Sequence, residues 1–446
     1  MTRLFGHTVR SELVLLYLIE ALICFAVVYS ILSYSGLAAN GPVERYQAII
    51  FAAVLSLCSG IVSGASGLYQ PEGWHRAGRF AASTLVAAVL LALPAKLVLS
   101  MVAPHADSWR HLAELLAGIV AVIVLTRVGY RLILQSGWLV RRLAVVRGQA
   151  GPLAIEREFG VRARGDELFE IAAVVPSSGM PDGRSLRDKR IWGVIAAPGV
   201  ALAEAARAEF RQSGLAVLSE SEFLEQRLNR VDIERLAPDW LAKAAVRREG
   251  WIEATLRRGM DIAGSLAILT FTLPLLVLTA IAIRLDSAGP ILYRQERVGL
   301  GGRTFSLLKF RSMRPDAEAG GAPRWAARHD DRVTRVGRFI RLTRIDEIPQ
   351  AINVLRGDMS LVGPRPERPV FVEQLGRLIP HYHDRASVRP GITGWAQVNY
   401  PYGASVEDAR MKLAYDLYYI GRRSLFLDLL ILVATVRVIL FQEGSR

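Results

Sequence analysis

Four long apolar runs dominate the first third of the chain, at residues 13–32, 47–69, 81–102 and 112–125. Each approaches the ~20 residues that carry a helix across a bilayer, the last run being the shortest. Leu37-Ala38-Ala39 has the small-residue character of a signal cleavage site, but three more apolar runs follow, so the first reads as an uncleaved anchor. Glu20 lies inside that run. An acid there is costly in lipid and is expected to face a partner helix. From 141 to about 240 the pattern changes to short apolar blocks, at 143–146, 171–175, 191–197 and 215–218, which read as buried parallel strands. Residues 201–212 have helical composition between two of them. The alternation predicts a small doubly wound, Rossmann-like α/β domain. Gly148 and Gly151 follow the first block. The full glycine fingerprint of a dinucleotide site is absent, which favours a structural or regulatory role over cofactor binding.

A fifth apolar run covers residues 260–283, with Pro274 at its middle. Proline there removes a backbone hydrogen bond and bends a helix. Arg247, Arg248, Arg257 and Arg258 precede the run, and Arg284, Arg294 and Arg297 follow it. Two forms fit: a kinked crossing, or a re-entrant helix-break-helix that enters and leaves one face. Basic residues at both ends favour the second, because Lys and Arg flanking a span stay on the cytoplasmic side. The same rule orients the bundle. Arg3 and Arg10, then Arg76 and Arg79, then Arg127, Arg131, Arg141, Arg142 and Arg147 mark cytoplasmic segments, while the connections near Ala39 and His105 are poorer in Lys and Arg. Residues 425–440 are apolar but interrupted by Asp428 and Arg437, a pattern for an interfacial or packing helix rather than another span.

Composition sharpens this picture. The chain has 446 residues, is 52% hydrophobic, and carries a formal net charge of +14. Its mean hydropathy is +0.28 and its pI about 10.1. Apolar runs with excess Lys and Arg indicate an integral membrane protein with basic cytoplasmic parts, facing membrane lipids. Nucleic-acid binding would explain the charge but not the apolar runs, so no nucleic-acid partner is expected. The two cysteines, Cys24 and Cys58, fall in apolar runs and offer neither a disulfide framework nor metal-ligand spacing.

The chemistry concentrates in residues 338–367, centred on the adjacent acids Asp346 and Glu347. Arg338, Arg341 and Arg344 precede the pair, and Arg356, Arg365 and Arg368 follow. Two acids side by side are costly in an apolar core. They are either solvated at a helix start or held by cations, and the second arrangement suits a site that binds Mg²⁺ and phosphate together. Clustered Gly and Pro, as in Gly363-Pro364-Arg365-Pro366-Glu367, fix turns that aim backbone N–H groups and arginines at phosphates.

Five motifs occur in order: residues 309–313, Asp346-Glu347-Ile348-Pro349-Gln350, residues 357–360, Pro364-Arg365-Pro366-Glu367, and residues 389–399. Together they resemble the bacterial sugar transferase family, the monotopic polyprenyl-phosphate sugar-1-phosphate transferases. The resemblance covers 248–446. The bundle and α/β domain resemble the large, exopolysaccharide-type members more loosely. Residues 1–5 and 215–241 look like the subgroup associated with PEP-CTERM/exosortase systems. The implied architecture is a four-helix transmembrane bundle at 1–140, the Rossmann-like domain at 141–245, and an α/β monotopic catalytic domain at 246–446 with the re-entrant helix at 260–283. The family's serine before the helix-breaking proline is replaced here by Leu273, and the hydroxyl of Thr272 is expected to bond the freed carbonyl instead.

The resemblance implies transfer of a phosphosugar from a UDP-sugar to a polyprenyl phosphate, typically undecaprenyl phosphate, with release of UMP. Asp346 would be the nucleophile, forming a covalent aspartyl-phosphosugar intermediate. Glu347 would hold Mg²⁺, and Arg341 would meet the lipid phosphate. Pro364, Arg365, Pro366 and Glu367 match the nucleotide-binding loop. Lys309, Arg311 and Arg389 match basic substrate-binding positions. The expected setting is the bacterial inner membrane, with catalysis on its cytoplasmic face. The bundle and α/β domain offer surface for a homodimer. Two other readings stay open: a non-enzymatic scaffold or regulator of polysaccharide export, and direct transfer with Asp346 acting only as base or metal ligand.

Overall fold

The structure is a computed structural model. It describes residues 2–4, 7–9, 11–34, 42–70, 77–102, 108–148, 155, 168–177, 179–236, 240, 250–314, 331–401, 403 and 405–441. Residues 37–39, Arg10, Arg76, His105, Gly151, Leu241, Arg247 and Arg248 lie outside these. The chain divides into two compact units. One comprises Met1–Thr2, Thr8–Ser63 and Leu68–Asn229, the other Arg3–His7, Gly64–Gly67 and Arg230–Arg446.

The first unit opens with four helices: α1 (Ser11–Tyr34), α2 (Pro42–Ala65), α3 (Ala77–Val102) and α4 (Ser108–Gln135). All four are long and apolar enough to cross a membrane. Their exposed faces carry large apolar side chains such as Leu22, Ile61, Leu93 and Leu125. Their shared core contains Ala48, Ala52, Ala87 and Ala95 beside Val28, Leu55 and Leu91. Small residues let helices approach closely where lipid supplies no hydrophobic drive. Glu20 is buried and faces a partner helix. Its Oε2 lies 2.6 Å from Arg127 and accepts from the Tyr69 hydroxyl at 2.9 Å. Arg127 was expected to lie beyond the fourth span. Instead α4 continues through it to Gln135, because the guanidinium is neutralised inside the bundle rather than solvated.

Four parallel strands follow: β1 (Arg141–Arg147), β2 (Phe169–Pro176), β3 (Ile191–Ala196) and β4 (Ala216–Ser219). Their order is β2-β1-β3-β4. The three helices α5 (Gly183–Asp188), α6 (Glu204–Gln212) and α7 (Glu220–Leu228) complete the α/β alternation. The predicted blocks become strands because their residues are apolar on both faces; Leu143, Ala144, Val145 and Val146 are all buried.

The second unit contains α8 (Trp251–Phe271) and α9 (Leu273–Asp286), bent by 61° at Thr272. Pro274 sits in the first turn of α9, where its missing N–H is tolerated. The Thr272 hydroxyl donates to the Ile268 carbonyl at 2.6 Å. The carbonyl whose donor Pro274 removes is that of Thr270, so the hydroxyl reinforces the last turn of α8 rather than replacing the lost bond. One stripe of α8 is buried and polar, with Arg257, Asp261 and Ser265. Asp261 accepts from Ser360 Oγ at 2.9 Å and from the Leu361 N–H at 2.8 Å. Arg257 meets Asp428 at 2.6 Å.

An antiparallel hairpin comes next, β5 (Leu292–Val298) with β6 (Thr304–Phe310). It leads to α10 (Arg335–Leu342), α11 (Gln350–Arg356), β7 (Ser360–Val362), α12 (Pro369–Leu378), β8 (Gly391–Thr393), α13 (Trp395–Asn399), α14 (Val406–Arg422) and α15 (Leu425–Leu440). Strands β7 and β8 pair in parallel. Their approach requires glycine: a Cβ on Gly363 would lie 2.3 Å from the Arg389 carbonyl oxygen. Trp395 is a packing anchor, buried and stacked on Tyr418.

Candidate active site

The acidic pair is presented by a break between two helices. Helix α10 is capped by Thr334 and ends at Leu342. Arg344 then adopts a left-handed conformation, φ 59°, unusual for a residue with a side chain. Such backbone strain costs ~1–3 kcal/mol and clusters at functional sites. It starts a single 3-10 turn, Ile345–Glu347, that holds both acids under the adjoining elements. Asp346 is 7% exposed and Glu347 8%, which excludes a solvated helix start.

The two carboxylates are treated differently. Glu347 Oε1 receives Lys309 Nζ at 2.9 Å and Arg365 Nη2 at 2.6 Å. Its Oε2 has Arg344 at 3.7 Å. Burial opposes ionisation of Glu347, but Arg365, Lys309 and Arg344 outweigh it and hold the acid well below the usual carboxylate range. Among the described residues, Asp346 makes no side-chain hydrogen bond and no ion pair. Burial, followed by the charge of Glu347, pushes its carboxyl up to about 6. Lys309, Arg341 and Arg344 act in the opposite direction. Lys309 itself is lowered by burial, with Glu347 opposing the shift. The pair is therefore one neutralised carboxylate beside one bare, more basic carboxylate. A carboxylate desolvated and unpaired among cations is suited to attack an electrophile such as phosphorus.

Lys309 is positioned from beneath. Asn353 of α11 is fully buried; its Oδ1 accepts from the Leu308 N–H at 2.9 Å and its Nδ2 donates to the Ser306 carbonyl at 2.8 Å. The side chain thus completes the edge of β6, the strand that carries Lys309. The loop 364–367 is fixed in a similar way. Arg385 Nη2 donates to the Arg365 carbonyl at 2.9 Å and to Asp416 at 2.8 Å. Arg297 donates to the Pro366 carbonyl at 3.0 Å and stands 3.5 Å from Glu367.

A cavity of about 380 Å³ opens on this cluster, with Glu347, Arg344, Arg365, Glu367, Lys412 and Asp416 in its wall. A second, of about 600 Å³, is lined by Pro364, Arg365, Pro366 and Glu367 together with the hairpin glycines Gly301 and Gly302. Arg365 and Glu367 serve both. For a cation, no three His, Cys, Asp or Glu side chains converge among the described residues. The described residues therefore do not enclose a metal with ligands of their own. Glu347 Oε2, which faces Arg344 at 3.7 Å but makes no hydrogen bond, fits as a single protein ligand for a hard cation whose other positions are filled by water and substrate phosphates, the habit of Mg²⁺.

Residues 252–442 match the profile of the bacterial sugar transferase family. An N-acetylgalactosaminephosphotransferase of Aeromonas hydrophila, UDP-N-acetylgalactosamine-undecaprenyl-phosphate in its donor and acceptor, is 51% identical over 195 residues, 44% of this chain and 46% of that protein. The undecaprenyl-phosphate glucose phosphotransferase of Komagataeibacter xylinus is 41% identical over 218 residues, 48% of this chain and 41% of that protein. The UDP-glucose:undecaprenyl-phosphate glucose-1-phosphate transferase of Caulobacter vibrioides is 47% identical over 191 residues, 42% of this chain and 71% of that protein. The chain belongs to the bacterial sugar transferase family. It spans less than half the length of the first two relatives.

The structure brings together Asp346, Glu347, Lys309 and Arg365, with Arg341 half-buried and electrostatically felt by Asp346. Two predicted basic residues go elsewhere. Strand β6 ends at Phe310, and Arg311 turns to the end of α9. There it donates to the Ser287 carbonyl at 2.6 Å and the Ala288 carbonyl at 2.9 Å, capping the helix. Arg389 is exposed and donates to the Gly357 carbonyl at 3.2 Å. Three site residues escaped the sequence reading: Arg385, Lys412 and Asp416. A signal was present for one of them, since Asp416 sits three residues from both Leu413 and Tyr419, on a face of α14 that is otherwise apolar and buried.

Proposed function

We propose that this sugar transferase moves sugar-1-phosphate from a UDP-sugar to undecaprenyl phosphate, with release of UMP. The observation that carries the reading is the bare, buried Asp346 beside a Glu347 neutralised by Lys309 and Arg365. An Asp346 oxygen attacks the phosphorus next to the sugar. The bond to the bridging oxygen breaks, UMP leaves with that oxygen, and an aspartyl-phosphosugar remains. An oxygen of the lipid phosphate then attacks the same phosphorus, and the Asp346 carboxylate departs unchanged. Lys309 and Arg365 face the charge that grows on the leaving phosphate, and Arg341 and Arg344 receive the incoming lipid phosphate. Mg²⁺, held through Glu347 and the donor diphosphate, would neutralise the diphosphate and ease UMP departure.

In this scheme residues 1–140 anchor the chain in the bacterial inner membrane. The bend at Thr272 makes residues 260–283 re-entrant, and residues 246–446 work on the cytoplasmic face, where a soluble donor and a lipid acceptor meet. The 141–245 domain is structural or regulatory, and residues 1–5 with 215–241 point to the PEP-CTERM/exosortase-associated subgroup. The product begins an exopolysaccharide or related glycan. The test is UMP release by purified protein given a panel of UDP-sugars, undecaprenyl phosphate and Mg²⁺. Sustained release that needs undecaprenyl phosphate, at most about one equivalent of UMP per protein without it, and arrest on chelation support the reading. No UMP with any donor would favour a scaffold in polysaccharide export.

A further inference from the structure

Helix α13 lines the active-site cavity with Ala396, Gln397 and Val398. It is five residues long, far below the ~12–15 that a helix needs to stand by itself, so its position is set by what packs on it. Two short segments from far upstream take part. Residues 3–7 and 64–67 fall in the second unit, together with residues 230–446. His7, at the start of the short strand His7–Val9, is 3% exposed. Its ring meets the Trp395 ring edge-on with centroids 5.4 Å apart. Its Nδ1 shares a hydrogen bond of 3.0 Å with the Tyr418 hydroxyl, 411 residues along the chain. Trp395 is the first residue of α13 and stacks on Tyr418. Tyr418 belongs to α14, which brings Lys412 and Asp416 to the same cavity. Towards the other end of α13, Arg437 Nη2 donates to the Val398 carbonyl at 2.9 Å. Arg437 runs against Gly67, where a Cβ would lie 3.0 Å from its Cδ. Burial, with the charge of Arg422 adding to it, pushes the His7 imidazole down to about 4. The ring is therefore neutral at pH 7 and is no candidate for proton transfer. What it offers is a fixed edge for Trp395 and a fixed bond for Tyr418.

We propose that His7 is a positioning residue for the active site, holding α13 in place as one wall of the cavity through Trp395 and Tyr418. Its role in turnover rests on the transfer reaction proposed above. Without the ring, a hole opens behind α13 and the Tyr418 hydroxyl loses its partner. A misplacement of ~1 Å in a wall that faces substrate can cost ~10²-fold in rate. His7→Ala opens the hole. Tyr418→Phe removes the hydroxyl alone and is the second variant should the first fold poorly. Turnover is measured as UMP release with saturating UDP-sugar and undecaprenyl phosphate, well below the thermal midpoint of each variant, with and without added imidazole. Hydrogen exchange of the backbone amides of α13 is followed by mass spectrometry on the same samples. The expected result is a kcat at least about fivefold lower in His7→Ala, a smaller fall in Tyr418→Phe, and faster exchange in α13 but not in α11. Imidazole, by filling the hole, should restore kcat and slow the exchange in His7→Ala, and leave Tyr418→Phe as it was. The double variant should be no slower than His7→Ala, because both changes remove one and the same bond. A wild-type kcat in both variants, or unchanged exchange in α13, overturns the proposal. So does a fall that imidazole leaves in place while exchange quickens across the whole unit, which marks loss of structure instead of position. A wild-type protein that releases no UMP overturns the transfer reaction and the role of His7 in it, whereas faster α13 exchange in His7→Ala would still show that the contact holds the helix.

Discussion

Lys309→Met keeps most of the side-chain bulk and removes one cation from the cluster. The ammonium stands 2.9 Å from Glu347 Oε1. Glu347 keeps Arg365 at 2.6 Å and Arg344 at 3.7 Å, so the acid is not left bare. The expected loss of stability is ~1–3 kcal/mol, below the ~3–5 kcal/mol of a stripped buried charge. The larger effect is on titration. With the Asp346 carboxyl at about 6, roughly 90% is ionised at pH 7. Lys309 favours the anion, so removing it raises this pKa. At an effective dielectric of ~20 a unit charge even ~12 Å away contributes ~1.4 kcal/mol, so one pH unit is the least shift expected of removing Lys309. At most about half of Asp346 would then be ionised at pH 7. Attack needs the anion, so the acid limb of the rate profile should move up by at least about one pH unit, with activity recovering above about pH 8. The assay is UMP release in a single turnover between about pH 5 and 9. An acid limb that stays in place, or moves to lower pH, refutes the view that Lys309 helps ionise the nucleophile.

Asn353→Ala would leave the Leu308 N–H and the Ser306 carbonyl without their buried partner. We expect a loss of ~2–4 kcal/mol, read as a lower thermal midpoint, together with slower turnover because the neighbouring Lys309 is no longer held. Arg127→Met strips the charge from buried Glu20. The bundle should lose ~3–5 kcal/mol in detergent melts, and Glu20→Gln in the same chain should restore part of it, which a loss of packing alone would not do.

The four spans and the strand blocks were legible because length and apolar pattern alone decide them. The end of α4 was not. An arginine at position 127 reads as a cytoplasmic flank, but its pairing with Glu20, 107 residues away, together with the Leu68 carbonyl and the Tyr69 ring, keeps it inside the bundle. Asp346, Glu347, Lys309 and Arg365 were found through motifs rather than pattern, and the fold gathers them. Arg311 was misplaced for a geometric reason: two residues past Lys309 it would share that side of β6, but the strand stops at Phe310. Arg385 and Asp416 lie 31 residues apart, and no local rule links a basic residue in a 3-10 turn to an acid on a later helix.

The central claim is that Asp346 is a nucleophile rather than a base or a metal ligand. Intact mass spectrometry of the protein with Mg²⁺ and a UDP-sugar, without lipid acceptor, tests it most directly. The account predicts a sugar-phosphate adduct on the wild-type chain, absent in Asp346→Asn and discharged by undecaprenyl phosphate. UMP release that appears only when the lipid is added, with no adduct at any time, would contradict it and establish direct transfer.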